Sequence, residues 1–358
     1  MKKFFKRILK GSGTDKPHLK LLHKAENNPI IAPNEKNEWE AWQTFNPATI
    51  FLEDKIHFIY RAIGFDGISR FGYAASQDGF KISERLNYPI YQHYLAGANF
   101  EIKFFSSGGS LGGCEDPRIV RVDKEDRIYM VYTALSNDIR VALTSIKIKD
   151  FLNKSWHWTE PRLISPPGQT HKNWVIFPEK IRNRYAILTS ITPKILISYR
   201  ETLSFKKGGY LESFYQQVEI KNSWELYRRG AGPPPLKTKE GWLLFYHAIA
   251  KNNPSIYKVG AMILDYKNPE NILVVSKQPI LEPEEVYEKN GFKSGVVYAS
   301  GAVIKNNILL LYYGAADSYV AVAYADLDQF LKEIKVGKKP KIFKKILLKK
   351  RINDFIKI

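Results

Sequence analysis

The sequence predicts an all-β fold, a five-bladed β-propeller, on three observations. One apolar phrase recurs five times along the chain. A second phrase follows each copy, always in the same order. Between the two charged ends, no long segment keeps the apolar spacing of a helix. A pair of β-sandwiches with accidental resemblance between strands is the competing architecture. Two linked phrases repeating in one order are hard to obtain that way.

The first unit reads DKIHFIYRA (54–62), then FGYAASQDGF (71–80). The second reads DRIYMVYTA (126–134), then RVALTSIKIKDF (140–151). The third is weaker, NRYAILTS (183–190) and KILISYRETLSF (194–205). The fourth is EGWLLFYHA (240–248) with KVGAMILDYKNP (258–269), and the fifth NNILLLYYGAAD (306–317) with YVAVAYADLDQF (319–330). Each first phrase is a polar turn leading into an apolar strand that closes on an aromatic or polar residue and a small one. Each second phrase is a short strand rich in small and β-branched residues, closed by an acidic turn. Tyr60, Tyr132, Tyr246 and Tyr313 mark a common register. Repeated sets of antiparallel strands of this kind build propeller blades around a central channel, so that loops at one mouth converge on one pocket.

Composition sets the outer limits. The chain has 358 residues, 44% of them hydrophobic and 13% aromatic, enough for a large core. Cys114 is the single cysteine, so an intrachain disulfide and a cysteine-rich zinc site are excluded, and a reducing compartment fits. No apolar run approaches the roughly 18 residues that span a membrane. The start, MKKFFKRILKGSG, lacks the continuous apolar segment of a signal peptide, so the expected location is the cytoplasm. The net charge of +19 invites a nucleic-acid reading, but its distribution argues against one. Residues 1–24 hold eight Lys and Arg against one Asp, and residues 335–358 hold ten against one Asp, so +7 and +9 of the +19 sit at the ends. The body is ordinary, and basic ends report on acidic surfaces rather than on the fold between them.

Within the repeats, equivalent ends of the first phrase give Arg61, Thr133, Thr189 with Ser190, His247 and Asp317. Charged residues in strands that read as buried pair with each other or bind something polar. Further polar insertions lie between the phrases. Asn46 precedes Pro47 at the entry to the first unit. HKNWVIFPEK places His171, Lys172, Asn173, Glu179 and Lys180 around an apolar centre, and LYRRGAGPPPLKT sets Arg228 and Arg229 before a glycine–proline turn. LGGCEDPRIVRV (111–122) gathers Glu115, Asp116, Pro117 and Arg118 in what reads as a loop before a buried strand, approached by the glycine-rich SGGSLGG (107–113). Carboxylates suit acid–base work on sugar hydroxyls, and clustered cations suit phosphate or another anion. The seven histidines show no metal-ligand spacing, and no P-loop, GxGxxG or GxSxG occurs, so no metal and no cofactor are expected.

GGCEDPRIVRV…RIYMVYTA, VIFPEKI, GAGPPPLKTKEGWLLFYHA, GAMILDYKNPE and LLLYYGAADSYVAVAYADLDQF together resemble glycoside hydrolase family 130, the β-mannoside phosphorylases and related β-mannosidases, over about residues 40–332 and in family order. The resemblance implies a five-bladed β-propeller. It implies an inverting β-mannoside phosphorylase that forms α-mannose 1-phosphate, with inorganic phosphate as co-substrate. Asp116, the Asp of the E-D-P-R motif, is then the proton donor, acting through a mannose hydroxyl. Asn46, Arg61 and Asp317 match positions that hold the mannosyl unit. Glu115 and Arg118 orient the acid or the substrate, and Asn173 lies in the same pocket. Lys172, Arg229 and His247 fall at or near phosphate-holding positions, and Arg228 is adjacent.

Two stretches depart from the family pattern. Thr189 and Ser190 stand where many phosphorylases carry a pair whose arginine contacts phosphate, and the usual F-P-C-G reads YASG (298–301). A charge-assisted contact of that kind contributes about 1.5–3 kcal/mol. A β-mannosidase on the same scaffold therefore remains the alternative, with Glu179 as the base that activates water or as a plain ion-pair partner of Lys180 or Arg184. A non-catalytic glycan- or membrane-binding propeller is the alternative of another class, and it does not need the acid of the E-D-P-R motif.

The expected organisation is a basic extension (1–30), a propeller (31–333) and a basic amphipathic tail (334–358). In KIFKKILLKKRINDFIKI (341–358) the apolar residues approximate one helical face with lysines opposite. Such a helix lies on an anionic membrane surface, at the inner membrane face, or packs on the propeller. The expected partners are thus a β-mannoside oligosaccharide, phosphate and an anionic membrane surface, with homo-oligomerisation left open and nucleic acid excluded.

Overall fold

The computed structural model describes residues 21–93, 108–135, 138–221 and 223–335. A short β1 (His23–Lys24) comes first, and five antiparallel meanders follow among the described residues, in four sheets, because parallel pairing of Ile68 with Gly112 and Ser69 with Gly113 joins the first two. The first is β2 (Gln43–Leu52), β3 (Lys55–Ile63), β4 (Ile68–Ser76) and β5 (Ile82–Arg85). The second is β6 (Gly112–Val120), β7 (Arg127–Leu135), β8 (Ile139–Lys147) and β9 (Arg162–Leu163). The third has three strands, β10 (Val175–Ile176), β11 (Tyr185–Ser190) and β12 (Leu196–Arg200). In the fourth, β13 (Glu225–Ala231) and β14 (Leu236–Thr238) both pair β15 (Gly241–Ala250), followed by β16 (Asn253–Leu264) and β17 (Ile272–Val275). The fifth is β18 (Val297–Lys305), β19 (Ile308–Ala315) and β20 (Tyr319–Asp326). The recurring phrases are therefore the second and third strands of each meander.

The outer strand of the fifth meander comes from the start of the chain, since His23 pairs Tyr324 and Lys24 pairs Ala323. Lys24 Nζ fastens this closure to buried Glu288 Oε2 at 2.6 Å and to the Glu282 carbonyl at 2.8 Å. Residues 23–30, which the sequence reading assigns to a basic extension, thus belong to the folded body with Ile31, and Lys24 is an internal ion-pair partner rather than a tail charge. The amphipathic pattern of 341–358 and the basic run of 1–20 lie outside the described residues. The helix Leu327–Lys335, which leads toward the former, buries Leu327, Phe330, Leu331 and Ile334.

The core explains why the central strands read as near-continuous apolar runs. Alternate residues of β19 go to opposite sides: Leu309, Leu311 and Tyr313 pack toward the fourth meander, Leu310 and Tyr312 toward the first. A strand buried on both faces shows no polar alternation. Each of five apolar clusters among the described residues joins two successive meanders, and one of them joins the fifth to the first. Tyr60, Tyr132, Tyr246 and Tyr313 all pack toward the preceding meander, which is the physical content of their common register. The glycines of the second phrase serve these rings. A Cβ on Gly72 would come within 2.4 Å of Tyr60 Cζ, and one on Gly260 within 2.3 Å of Tyr246 Cζ.

Candidate active site

The functional residues are placed by irregularities in the first strands of the meanders. In β2 the register shifts between Phe45 and Ala48, so Asn46 and Pro47 oppose Tyr60 alone. In β6 it shifts between Glu115 and Arg118, so Asp116 and Pro117 oppose Tyr132 alone. In β13 the extra residues are Leu226 and, at the second shift, Arg229, and in β18 the extra residue is Ser300. A bulge re-aims a side chain that regular pleating would bury against a neighbour. The E-D-P-R motif is accordingly a bulge inside a fully buried strand, where the sequence reading had placed a loop.

Asn46 and Asp116 hold left-handed backbone, φ 46° and 51°, each directly before a proline. Proline disfavours a helical conformation in the residue before it, so both positions carry local strain. Asn46 Nδ2 donates to Asp116 Oδ1 at 2.8 Å, and Arg61 Nη1 lies 3.4 Å from the same oxygen. Arg61 also donates to Glu115 Oε1 at 2.7 Å, to Ser69 Oγ at 2.9 Å and to Ser110 Oγ at 3.0 Å. Lys172 Nζ reaches Glu115 Oε2 at 2.8 Å. Glu115 thus bridges two cations from beneath the reacting surface. Gly108 allows the chain to pass over this group, because a Cβ there would meet Arg61 Nη1 at 2.6 Å.

Electrostatics separate the carboxyl groups. Burial opposes ionisation of Asp116, but Arg61, then Arg118 and Lys172, outweigh it and hold the carboxyl below its usual range. Burial likewise opposes ionisation of Glu115, and Arg61 and Lys172 overcome it. Asp317 goes the other way. Burial, with Asp116 and Glu115 nearby, pushes it up to about 6 against the pull of Lys293 and Arg61.

Asp116 and Asp317 border a cavity of about 370 Å³, within the range of small-ligand sites, and Glu115 lies behind it. The first, second and fifth meanders and their connections supply Asn46, Arg61, Asp116, Lys293, Tyr298 and Asp317. The third and fourth supply Lys172, Asn173, Thr189, Ser190 and Arg229. The lining therefore combines carboxylates around a buried arginine with cations and hydroxyls.

Residues matched by the family model described as beta-1,4-mannooligosaccharide phosphorylase, Glyco_hydro_130, run from 22 to 336. The chain belongs to glycoside hydrolase family 130. It is similar to the 1,2-beta-oligomannan phosphorylase of Thermoanaerobacter sp. (strain X514), 35% identical over 86% of this chain and 97% of that one. It is 32% identical to the beta-1,2-mannobiose phosphorylase of the same organism, over 86% of this chain and 98% of that one. The solved beta-1,2-mannobiose phosphorylase of Listeria innocua, in complex with beta-1,2-mannobiose, shares the fold with a TM-score of 0.68 at 23% identity, covering 88% of this chain and 99% of that one.

Against the family expectations, the structure brings Asn46, Arg61, Asp116, Lys172, Asn173, Arg229 and Asp317 to one cavity. It places four others behind it. Glu115 lies beneath Arg61 and Lys172, fully buried. Arg118 braces the bulge, donating to the carbonyls of Asp116 at 2.9 Å, Pro117 at 3.1 Å and Gly232 at 2.6 Å. Arg228, expected beside the phosphate, turns away: it is in register with Ala248, pairs with Glu225 Oε1 at 2.5 Å and packs over Tyr246. The bulge, one residue on, sends Arg229 to the cavity instead. His247 is also displaced from the phosphate role. Its Nε2–H donates to the Ala299 carbonyl at 2.6 Å, its ring stacks 3.6 Å from that of cavity-lining Tyr298, and burial followed by Arg118 lowers its pKa to about 3, so it is a neutral ring.

Of the equivalent strand ends, Thr133 is buried in register with Glu115 and does not border the cavity, whereas Thr189 and Ser190 do. Ser190 Oγ bonds the Thr192 carbonyl at 2.8 Å, so hydroxyls and not a cation occupy that wall. Glu179, the base of the hydrolase alternative, pairs with Lys237 at 2.7 Å and does not border the cavity, and its partner is neither Lys180 nor Arg184. Sequence reasoning missed Tyr298 and Lys293. Tyr298 donates to Asn173 Oδ1 at 2.5 Å and accepts from Arg118 at 3.3 Å. Its sequence signal is the YASG departure from the family pattern.

Proposed function

We propose that the chain is an inverting β-mannoside phosphorylase working on a five-bladed propeller, with phosphate as co-substrate and no cofactor. The closed sequence of apolar clusters, fifth meander to first, supports the five-bladed arrangement. The observation that carries the activity is that Asp116, with its partners Asn46 and Arg61, borders the same cavity as the cations Lys172 and Arg229. The names of the relatives favour the same reaction.

In this reading Asn46, Arg61 and Asp317 hold hydroxyls of the mannosyl unit, and Lys172, Arg229, Asn173 and Ser190 hold phosphate. A phosphate oxygen attacks the anomeric carbon while the glycosidic C–O bond breaks on the opposite face. The leaving oxygen takes a proton that originates at Asp116 and passes through a sugar hydroxyl. Asp116 is ionised in the free site because cations surround it. An anion bound at Lys172 and Arg229 offsets those cations and raises the proton affinity of Asp116, so the acid is completed when the nucleophile arrives. Phosphate is already anionic and needs no general base, consistent with Glu179 lying off the cavity.

The test is incubation with β-linked manno-oligosaccharides, with and without phosphate. Phosphate-dependent mannose 1-phosphate is the expected product. Free mannose formed equally without phosphate would establish the hydrolase instead, and sugar binding without turnover the non-catalytic alternative. We further propose that the basic ends give the enzyme peripheral contact with anionic membranes, tested by sedimentation with anionic liposomes before and after removal of residues 336–358.

A further inference from the structure

Tyr298 borders the cavity, and no step of the proposed reaction uses it. Its ring lies flat on that of His247, with centroids 3.6 Å apart and planes 13° from parallel. His247 Nε2 is itself fixed, because it donates to the carbonyl of Ala299, the residue after Tyr298, at 2.6 Å. The Arg118 guanidinium stands 5.5 Å from the centre of the Tyr298 ring and donates to the phenol oxygen at 3.3 Å. Arginine has no acceptor, so the phenol accepts here and keeps its one hydrogen for another partner. That partner is Asn173 Oδ1, at 2.5 Å. Burial of the hydroxyl pushes its pKa well above the usual range, and Asp116 adds to this against the pull of Arg118, so the hydrogen stays on.

Asn173 follows Lys172 in the chain, holds left-handed backbone at φ 63° and borders the same cavity. With Oδ1 on Tyr298, Nδ2 lies against the strand that carries Arg229: a Cβ on Gly230 would meet it at 2.5 Å. A side-chain amide has nearly the same outline in its two orientations, but opposite polarity. Turned one way it offers N–H donors to an anion, and turned the other way it offers an oxygen that repels one. Shape alone does not select between them. The Tyr298 hydroxyl does, because it supplies a donor that only Oδ1 accepts.

We infer that Tyr298 is a positioning residue for phosphate: held by His247 and Arg118, its hydroxyl fixes the Asn173 amide with the N–H groups toward the Arg229 strand and the anion. This rests on the phosphorylase reading above and deepens it. It also gives His247 a task other than the phosphate contact expected from sequence, as a neutral, flat support for the Tyr298 ring.

The experiment measures initial rates over a phosphate series and a β-1,2-mannobiose series for wild type, Y298F, N173G and Y298F/N173G. Phenylalanine keeps the ring on His247 and removes only the hydroxyl, and glycine accepts the left-handed backbone of Asn173. Y298F is expected to raise the KM for phosphate about tenfold, the effect of one hydrogen bond, and to leave the KM for the mannoside within about twofold. In the N173G background the same substitution should change the KM for phosphate by less than about twofold, because the amide it orients is gone. A hydroxyl with a purely structural role produces the same loss in both backgrounds, and that result overturns the inference. So does an unchanged KM for phosphate in Y298F, or a fall in kcat at saturating phosphate with KM unaltered, which assigns the hydroxyl to Asp116 instead. Failure of the phosphorylase reading looks different: wild type itself shows no phosphate-dependent turnover. Calorimetric binding of inorganic phosphate to the same four proteins then decides. A loss in Y298F that vanishes in the N173G background sustains the positioning role, and binding that is absent from wild type or unaffected by Y298F overturns it.

Discussion

Asn46 and Asp116 meet through an Nδ2–H···Oδ1 bond of 2.8 Å, and each reaches the other from a left-handed residue that precedes a proline in a bulge of a first strand. The same backbone device is used twice so that an acid and its orienting amide face one another across two meanders. Removing the acid while keeping its shape, D116N, is expected to lower phosphorolysis by about 10²–10⁴-fold without altering the melting temperature by more than a few degrees. N46A leaves the acid present but without its donor. It should lower kcat more than it raises KM, and weaken folding by about 1–3 kcal/mol. Normal turnover by D116N would remove it from the acid role.

Arg61 is surrounded by Glu115 and Asp116 with almost no solvent access. Truncation to methionine leaves two buried carboxylates short of their shared cation. R61M is therefore expected to destabilise the chain by about 3–5 kcal/mol in urea unfolding, and R61M/E115Q to recover part of that loss. A change below about 1 kcal/mol in R61M would show that Lys172 alone satisfies Glu115.

Arg228 and Arg229 are neighbours in sequence and opposites in role. R228M should weaken folding by about 3–5 kcal/mol, because Glu225 is then buried alone, and leave the KM for phosphate near that of wild type in the folded fraction. R229M should fold normally and raise the KM for phosphate by roughly ten- to a hundredfold, the effect of one charge-assisted contact. Initial rates over a phosphate series distinguish the two, and the reverse pattern would mean that the bulge does not choose between them.

Asp317 makes stability depend on pH. Its carboxyl, raised from 3.8 to about 6, binds its proton more tightly in the folded chain than in the unfolded one. That contribution is fully present below the ordinary carboxyl range and is lost as pH rises through about 6. D317N should therefore melt higher than wild type at pH 8, by up to about 3 kcal/mol, and match it near pH 4. A difference that does not change between those pH values would show that Asp317 titrates normally.

Much of the site was legible because its chemistry lies in uncommon local combinations. Asn-Pro and Glu-Asp-Pro-Arg each place a charged or amide group beside a proline that restricts the backbone, and Lys-Asn-Trp sets a charge and an amide directly before an apolar run. Lys293 was not legible, since a lysine in a connection is ordinary until a cavity forms beside it, and Tyr298 showed only as the first residue of the YASG departure. His247 and Arg228 misled for the opposite reason. Both are suitable anion ligands in isolation, but burial makes the first neutral and Glu225 engages the second.

The sequence by itself determined the repeated strand pairs, their tyrosine register and the family, because apolar periodicity and local motifs are properties of neighbours along the chain. Only the tertiary structure decided which of two adjacent arginines faces the cavity, that the acid stands in a bulge and not a loop, and that the start of the chain closes the last sheet. Those outcomes depend on ladder register and on contacts between residues far apart in sequence. A one-residue shift there sends a side chain to the opposite face, and nothing in the local sequence records it.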